Sequence, residues 1–277
     1  MPIYSHSRLS TFEQCALKFK YKYIDKIIPP LEKSIEIHLG KVSHDVLEWV
    51  YLEVKKGYVP KLDEVLGYYR QKWEETWDPK IVIVRKDLTR EDYYNKGIKF
   101  IINYYMKHAP FDENTLSVEE RIMINLDDTG QYKIQGFIDR LVYNLKTEEY
   151  EVHDYKTANS LPLPEKVAND RQLALYSIAI KEKYGQDKEV LLVWHYLAFN
   201  RKITSQRTNE QLNKLKKDTI ELIKKIESTL EFPPKKSYLC HWCEYKDICP
   251  LWSKDPPKDR EEAQKMLDKL HQKKKLL

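Results

Sequence analysis

Hydrophobic residues recur at helical spacing along the N-terminal part of the chain. Ser10 and Glu13 are spaced as a capping box near the start of the first such segment, and Pro29 and Pro30 stand at its end. Cys15 lies inside this segment. The spacing predicts helices over residues 7–28, 41–56, 62–77 and 91–107. These residues are therefore expected to form a helical N-terminal part.

From Leu116 the apolar period changes from helical to alternating. The alternation predicts strands, of which the first two form a hairpin, over residues 118–126, 132–143 and 150–156. An almost unbroken apolar run at 190–199 predicts a strand that is buried on both faces. Further helices are predicted at about 166–184, 208–230 and 260–270. This order predicts an α/β protein in which helices flank a central mixed β-sheet.

Length and composition are those of a globular chain. The 277 residues can bury a full core, and 42% of them are hydrophobic while 33% are charged. No apolar run approaches the roughly 18 to 20 residues that span a bilayer, so we expect no membrane partner. The N-terminal residues lack the apolar core of a signal peptide, which predicts a cytoplasmic protein. The net charge of +5 is too small to identify a nucleic-acid partner by itself.

Three charged residues fall near the ends of two neighbouring predicted strands. Asp139 lies on the second strand, and Asp154 and Lys156 lie two residues apart on the third. Two carboxylates can hold Mg²⁺ or Mn²⁺, because these hard cations prefer oxygen ligands. A cation of this kind with a lysine beside it suits the hydrolysis of a phosphodiester. The alternative is an ordinary ion pair between Asp139 and either Arg140 or Lys156.

Neighbouring groups extend this candidate site. The backbone carbonyl of Tyr155 points toward the same cation if the strand turns there. Lys156 would orient or deprotonate the attacking water, or stabilise the phosphorane. Glu119 or Glu120, at the start of the first strand, could add an outer carboxylate, and a solvated strand end is the alternative for either. By strand alternation His153 faces away from the site and receives no role.

These residues resemble the PD-(D/E)XK nuclease superfamily, and most closely its RecB-like branch. Residues 136–140, GFIDR, resemble the G-x-x-D-R segment of that branch, and residues 154–157, DYKT, resemble its D-Y-K-T segment. The branch includes the CRISPR-associated spacer-acquisition exonucleases and the AddB-type nuclease domains. Ile138 stands where the proline that names the superfamily would be. The resemblance implies a restriction-endonuclease-like core with catalytic Asp139, Asp154 and Lys156, of which both aspartates bind the metal together with the Tyr155 carbonyl.

Two helical segments carry the resemblance further. Gly40 and His44 match a G-x-x-x-H segment whose histidine is a metal ligand in the branch. Gln172 and Tyr176 match its Q-x-x-x-Y helix. Because Gln172 and Tyr176 are spaced as i and i+4, they share a helix face and can both reach the site or the DNA backbone. The resemblance therefore implies His44 as a metal ligand and Gln172 and Tyr176 as residues of the catalytic site.

The four cysteines are divided between two distant parts of the sequence. Cys240, Cys243 and Cys249 form C-x2-C-x5-C followed by a proline, and Cys15 lies near the N-terminus. Four thiolates suit either tetrahedral zinc or a [4Fe-4S] cluster, and spacing alone slightly favours zinc, the commoner occupant. The resemblance favours the cluster, because the pattern looks like that of the RecB-like iron–sulfur nucleases. We expect a structural clasp that ties the first helix to the C-terminal segment.

The resemblance also implies how the chain is divided. Residues 1–115 are expected to form a helical part that supplies Cys15 and His44, and residues 116–205 the nuclease core. Residues 206–277 are expected to supply a helix, the cluster-binding segment and a basic terminal helix, and the three parts are expected to pack as one compact unit.

The predicted function is that of a metal-dependent DNA exonuclease that acts on single-stranded DNA or DNA ends. The alternatives are a structure-specific or site-specific endonuclease and a catalytically silent DNA-binding subunit. The sequence contains no phosphate-binding loop of a helicase motor. The chain is therefore expected either to act alone or to work with a separate helicase or a CRISPR integrase.

Overall fold

The computed structural model of the protein describes residues 3–29 and 34–275, with side chains described up to residue 270. Two compact units form. The core unit comprises Met1–His6, Glu36–Trp77 and Leu88–Glu221, and the cysteine unit comprises Ser7–Ile35, Asp78–Asp87 and Leu222–Leu277. The acidic candidate site lies in the core unit, and the four cysteines lie in the cysteine unit. The three-part division by residues 1–115, 116–205 and 206–277 stays a prediction.

Helices and strands follow one another largely as predicted. The strands are β1 (Tyr4–Ser5), β2 (Thr115–Asn125), β3 (Lys133–Asn144), β4 (Glu149–Lys156), β5 (Val190–Tyr196) and β6 (Arg201–Ser205). The α-helices are α1 (His6–Gln14), α2 (Ala16–Phe19), α3 (Ile35–Lys55), α4 (Leu62–Glu75), α5 (Arg90–His108), α6 (Pro164–Ala168), α7 (Arg171–Tyr184), α8 (Asn209–Ser228) and α9 (Arg260–Lys275). Short π- or 3₁₀-helical segments cover Lys20–Ile24, Leu197–Phe199, Tyr238–Trp242 and Lys246–Ile248.

A mixed β-sheet organises the core unit. β3 pairs antiparallel with β2, parallel with β1 at its N-terminal end and antiparallel with β4 at its C-terminal end. β4 continues the sheet through a parallel pairing with β5, which pairs antiparallel with β6. The predicted α/β architecture with a central mixed sheet is confirmed.

Helices α5 and α7 cover opposite faces of this sheet. The ring of Tyr184 on α7 stacks on Tyr150 of β4, with the ring centres 4.4 Å apart. On α5, the ring of Tyr104 packs edge-on against Tyr155 of the same strand, at 5.6 Å. Because successive side chains of a strand alternate between faces, Tyr150 and Tyr155 point to opposite sides. β5 is therefore enclosed between helices, as its unbroken apolar sequence predicts.

The helix predicted over residues 7–28 is interrupted at Cys15, and that prediction was wrong in this respect. Cys15 has extended backbone angles, φ −161° and ψ 112°, between the end of α1 and the start of α2. A π-helical turn over Lys20–Ile24 follows. The apolar residues keep their helical spacing across the break, so the pattern alone does not mark it. The extended residue places the Cys15 sulfur on the wall of a cavity that the other three cysteines also line.

Other boundaries differ for local reasons. α3 begins at Ile35, so Gly40 lies inside the helix and does not precede it. The helix predicted over 166–184 is divided before α7, where the Asp170 side chain caps the helix by accepting the N–H of Leu173. The strand predicted over 190–199 ends at Tyr196, where a 3₁₀ turn begins. Strand β6 was not predicted, because its sequence, RKITS, is mostly polar and carries little apolar signal.

Candidate active site

Asp139 and Asp154 lie where strands β3 and β4 stop pairing. The ladder between the two strands ends at the pair Arg140 and His153, and the two aspartates follow it. The backbone N–H of Tyr155 donates a hydrogen bond to Asp139 Oδ2 at 2.9 Å. This bond holds the Asp139 carboxylate against β4 beyond the last ladder pair.

Helix α3 brings His44 to the same point. His44 Nδ1 lies 3.4 Å from Asp139 Oδ2, and His44 Nε2 lies 2.7 Å from the backbone carbonyl oxygen of Tyr155. The close approach of the helix depends on Gly40, since a Cβ there would stand 3.3 Å from Thr157 Oγ1. The structure thus brings together His44, Asp139 and the Tyr155 carbonyl, which the sequence predicted as metal ligands.

Glu119 completes this group. Ligand atoms of His44, Glu119 and Asp139 all lie within 4.8 Å of one another. Glu119 has a left-handed backbone, φ 46°, in strand β2. Glu120 is engaged elsewhere, because it accepts hydrogen bonds from Lys183 and Ser117. Of the two glutamates that the sequence left open, Glu119 is the one beside the candidate metal ligands.

The charges of this group are unbalanced. Burial raises the pKa of Asp139 to about 7, with a further rise from the Asp154 carboxylate, while His44 and the Tyr155 N–H oppose the rise. Burial also raises the pKa of Glu119 and of Glu48, one helical turn after His44. Several carboxyl groups thus share a partly buried site where like charges repel. A divalent cation would remove that repulsion.

Two atoms fit a cation more specifically. The Tyr155 carbonyl can only accept, so its hydrogen bond with His44 requires the proton on Nε2. The Nδ1 lone pair then faces Asp139 Oδ2 at 3.4 Å, an arrangement that a proton or a metal ion between the atoms satisfies. Asp154 Oδ2 is buried and makes no hydrogen bond within the described ranges, although Lys156 Nζ lies 2.8 Å away. Nitrogen and oxygen donors of this kind suit Mg²⁺ or Mn²⁺.

Lys156 lies at the end of a chain of polar contacts. Its Nζ donates to Asp154 Oδ1 at 2.9 Å and to Gln172 Oε1 at 3.1 Å. The Gln172 amide in turn donates to the Tyr176 hydroxyl at 3.4 Å. Burial by itself would lower the pKa of Lys156, but the charge and hydrogen bond of Asp154 outweigh it and the net shift is upward. Lys156 is therefore held as a cation.

Helix α7 is held close to the sheet at Tyr176. A Cβ built on Gly136 of β3 would stand 2.3 Å from Tyr176 Cε1, so only glycine fits beneath the ring. Tyr176 is 6% exposed, and Gln172, one turn earlier, faces Lys156. The glycine of the GFIDR segment is thus explained by helix packing, and the packing aligns Gln172 with the site.

Within the described ranges, neither Arg140 nor Lys156 forms an ion pair with Asp139. Arg140 is fully buried, pairs with Glu113 and donates to His153 Nδ1 at 2.8 Å. His153 also contacts Glu151 and lies on the face away from Asp139. The prediction that His153 faces away from the site is confirmed. Asp139 is left with His44 and the Tyr155 N–H as its contacts within the described ranges.

The four cysteines meet within the cysteine unit. Cys15, Cys240, Cys243 and Cys249 line one cavity of about 50 Å³, and all four are free thiols. Burial raises the pKa of Cys243 to about 11 and also raises that of Cys249. The backbone N–H of Ser237, which donates to the Cys240 sulfur, lowers the pKa of that thiol. The fold thus brings together the thiols that the sequence grouped as one ligand set.

The sequence matches the family model of the PD-(D/E)XK nuclease superfamily over residues 3–250. The chain belongs to this superfamily. The predicted restriction-endonuclease-like core is confirmed, and the PD-(D/E)XK protein is a metal-dependent nuclease. Its place in the RecB-like iron–sulfur branch and its relation to the CRISPR-associated exonucleases stay predictions.

Two solved structures match this nuclease at low similarity. One, from Eubacterium rectale and described as a "putative exonuclease", is 13% identical with a TM-score of 0.49, and the match covers 92% of this chain and 91% of that one. The other, SSO0001, is 18% identical with a TM-score of 0.35, and the match covers 78% and 96%. No curated protein matches the sequence significantly. Among the described helices, none has the length and apolar character needed to cross a bilayer.

Two acidic residues near the site could not be assigned from the sequence. Glu119 was open because the sequence does not show which of two adjacent glutamates faces the site, and the left-handed φ of Glu119 breaks the strand pattern. Asp170 was not considered, yet it caps α7 and its pKa is raised by burial near Lys156. Its position two residues before Gln172, at a helix start, is the signal that could have identified it.

Proposed function

We propose that this PD-(D/E)XK nuclease is a metal-dependent exonuclease that hydrolyses phosphodiester bonds of single-stranded DNA or of DNA ends. The observation that carries the proposal is the meeting of His44, Glu119 and Asp139 within 4.8 Å, beside the ion pair of Lys156 and Asp154. Carboxylates with raised pKa values that cluster with a histidine and a partly buried lysine are typical of functional sites.

The proposed cation is Mg²⁺ or Mn²⁺, held by His44, Asp139 and the Tyr155 carbonyl, with Glu119 and Asp154 as further carboxylates. When bound, such a cation neutralises charge on the phosphate and makes water a stronger nucleophile. Burial of the carboxylates supports this assignment, because desolvation raises the pKa values of Asp139 and Glu119 and neighbouring carboxylates raise them further, and a bound cation would offset both effects.

Lys156 is assigned to the phosphate. Of the three roles open to it, stabilising the negative phosphorane fits best, because the raised pKa keeps the amine protonated and makes it a poor base. Asp154 and Gln172 fix the direction of the ammonium group through two hydrogen bonds. Tyr176 is proposed to support Gln172 through the hydrogen bond between them, and both are proposed as residues of the catalytic site beside the DNA backbone.

A [4Fe-4S] cluster bound by Cys15, Cys240, Cys243 and Cys249 is proposed for the cysteine unit, with zinc as the other candidate. Tetrahedral zinc, at about 2.3 Å from each sulfur, requires sulfurs about 3.8 Å apart. Within the described ranges no three cysteine sulfurs lie within 4.8 Å of one another, which supports the larger group. The cluster is assigned a structural role, since the acidic site contains no cysteine.

Digestion of DNA labelled at the 5′ or the 3′ end tests the exonuclease proposal. Single-stranded and double-stranded substrates are incubated with Mn²⁺ or Mg²⁺, and covalently closed single-stranded circles serve as the endonuclease test. We expect linear strands to be degraded and circles to stay intact. Cutting of the circles would show that the protein is an endonuclease. If no substrate is cut, the alternative of a catalytically silent DNA-binding subunit would be favoured.

A pair of lysine variants makes this assay specific. Lys156→Ala removes the amine beside Asp154 and should abolish degradation. Lys183→Ala is the matched control, because Lys183 also pairs with a carboxylate, that of Glu120, outside the ligand group. Equal degradation by the Lys156→Ala variant and the wild type would refute the assigned mechanism.

The proposed partners follow from the chemistry of the substrate. A nuclease that needs single strands or free ends requires another activity to expose them, so a separate helicase is one proposed partner and a CRISPR integrase is another. The cytoplasm is the proposed location. Co-purification from the native cells with the tagged protein tests the partners.

A further inference from the structure

The hairpin of β2 and β3 has one exposed face and one buried face. The exposed face contains three cross-strand pairs, Arg121 with Phe137, Met123 with Gln135, and Asn125 with Lys133. Directly opposed residues share a face, and so do alternate pairs along the hairpin. The intervening pairs, Ile122 with Gly136 and Ile124 with Ile134, are buried.

This exposed face leads directly to the candidate metal ligands. Glu119 and Asp139 lie two residues from Arg121 and Phe137 on the same two strands, and the left-handed backbone of Glu119 interrupts the regular alternation there. Residues two apart on a strand are about 7 Å apart, so the Phe137 ring begins about one extended nucleotide from the Asp139 carboxylate. A strand bound along the face is therefore within reach of the acidic site.

The chemistry of the face fits a polynucleotide. Phe137 is 50% exposed and makes no aromatic contact within the described ranges, although an exposed phenyl ring is costly in water. Arg121 and Lys133 supply two cations, and the three pairs contain no carboxylate. Arg121 donates to Gln135 at 3.1 Å, which holds the guanidinium along the strand beside the ring. Surfaces that bind single-stranded nucleic acid typically combine an aromatic ring, on which a base stacks, with nearby cations that bind the phosphates.

We propose that the exposed face of the β2–β3 hairpin binds the single-stranded DNA that enters the active site, with one base stacked on Phe137 and a phosphate on Arg121. Single-stranded DNA is favoured over a duplex because the bases of a duplex already stack on one another and leave no free face for the ring. The inference rests on the proposed nuclease function and adds to it the route and form of the substrate.

The test is the affinity for a fluorescein-labelled 12-nucleotide single strand, measured by anisotropy in EDTA so that no hydrolysis occurs. Phe137→Ala should weaken binding about tenfold, the effect of losing one stacked base, and Phe137→Tyr should bind like the wild type. Phe199→Ala is the matched control, since that ring is 44% exposed in the 3₁₀ turn after β5. It should leave the affinity unchanged.

A duplex of the same sequence separates stacking from general charge effects. Wild-type protein should prefer the single strand, and Phe137→Ala should lose most of that preference, while Arg121→Gln should weaken binding and reduce its salt dependence. Binding of Phe137→Ala within twofold of the wild type would overturn the proposal, as would equal losses on single strand and duplex. Because EDTA removes catalysis, failure of the nuclease proposal would show separately, as a wild type that binds DNA but does not cut it with Mn²⁺.

Discussion

Asp139 is buried beside a second carboxyl group, and this placement makes its charge depend on pH near neutrality. Its pKa is raised to about 7, so the carboxyl is mainly protonated below that pH and ionised above it. A protonated carboxyl must release its proton to bind a cation. We therefore predict that Mn²⁺ affinity falls as pH decreases through 7, by about tenfold per pH unit on the acid side. Isothermal titration calorimetry between pH 5.5 and 8.5 measures this.

Two variants control the calorimetric experiment. Asp139→Asn removes the titrating group and should bind Mn²⁺ weakly at every pH. Glu120→Gln changes a carboxyl on the neighbouring strand that pairs with Lys183, so it should keep the wild-type profile. A wild-type affinity that does not change between pH 6 and 8 would contradict the raised pKa of Asp139, and an Asp139→Asn variant that binds Mn²⁺ like the wild type would show that Asp139 is not a ligand.

For individual residues, the sequence identified candidate site residues more readily than it identified their contacts. Asp139, Asp154 and Lys156 were identified from their places on predicted strands, because strand ends bring charged groups together at one edge. The choice between Glu119 and Glu120 was not predictable, since the left-handed φ of Glu119 places its side chain in a way that regular alternation does not describe. The ion pair between Arg140 and Glu113 was missed because the two residues are far apart in sequence.

The contact between α7 and β3 sets the position of two site residues. Because a Cβ at position 136 would stand 2.3 Å from Tyr176 Cε1, Gly136→Ala must displace the ring and with it the turn that carries Gln172. We predict a loss of about 1–3 kcal/mol in the free energy of unfolding, together with reduced cleavage. Urea denaturation and the DNA digestion assay measure the two effects.

Gly67→Ala is the control for this substitution. Nothing lies within 4 Å of a Cβ at position 67, in the middle of α4, so alanine there should stabilise the protein by about 0.5–1 kcal/mol. The double variant Gly136→Ala, Tyr176→Leu should regain part of the stability because the clash is removed. A Gly136→Ala variant as stable and active as the wild type would contradict the packing described for α7.

Elements with a strong apolar period were predicted, and the exceptions share a cause. The hairpin of β2 and β3, strand β4 and helices α4 and α5 were found close to their bounds. The break at Cys15, the division before α7 and the polar edge strand β6 were not, because none of them leaves a mark on the apolar period. Asp170 illustrates this, since its cap on Leu173 begins a new helix inside an uninterrupted helical pattern.

For the whole molecule, the two candidate metal sites belong to different units, which predicts that they can be lost separately. Cys240→Ser should remove bound iron and the broad absorption near about 400 nm of an iron–sulfur cluster, and should lower the melting temperature. Asp139→Asn should keep the absorption while losing Mn²⁺ binding. Absorption spectra and metal analysis of anaerobically purified protein measure both.

Zinc in place of iron in the wild type would contradict the cluster assignment. If the Cys240→Ser variant keeps the metal content and melting temperature of the wild type, the structural role proposed for the cysteine-bound cluster is wrong. A variant of Asp139 that also loses the absorption would show that the two sites are not independent.

The pattern of apolar residues did not predict which segments form each of the two units. Each unit is drawn from three separate segments, and the residues Asp78–Asp87 join the cysteine unit although they lie between α4 and α5 of the core unit. The backbone bridge between Ser34 and Val82 holds this segment within its unit. Pairings between distant segments of this kind do not appear in local periodicity. The grouping of the cysteines, by contrast, was visible in their spacing.

The central claim is that His44, Asp139 and the Tyr155 carbonyl, with Glu119 and Asp154 as further carboxylates, hold the cation on which cleavage depends. The most direct measurement is the initial rate of cleavage of an end-labelled single strand as a function of Mn²⁺ concentration, for the wild type, Asp139→Asn and Glu120→Gln. We predict that cleavage by the wild type stops in EDTA, that Asp139→Asn loses about a hundredfold or more in rate, and that Glu120→Gln follows the wild type. Cleavage in EDTA, or an Asp139→Asn variant that cuts at the wild-type rate, would contradict the account.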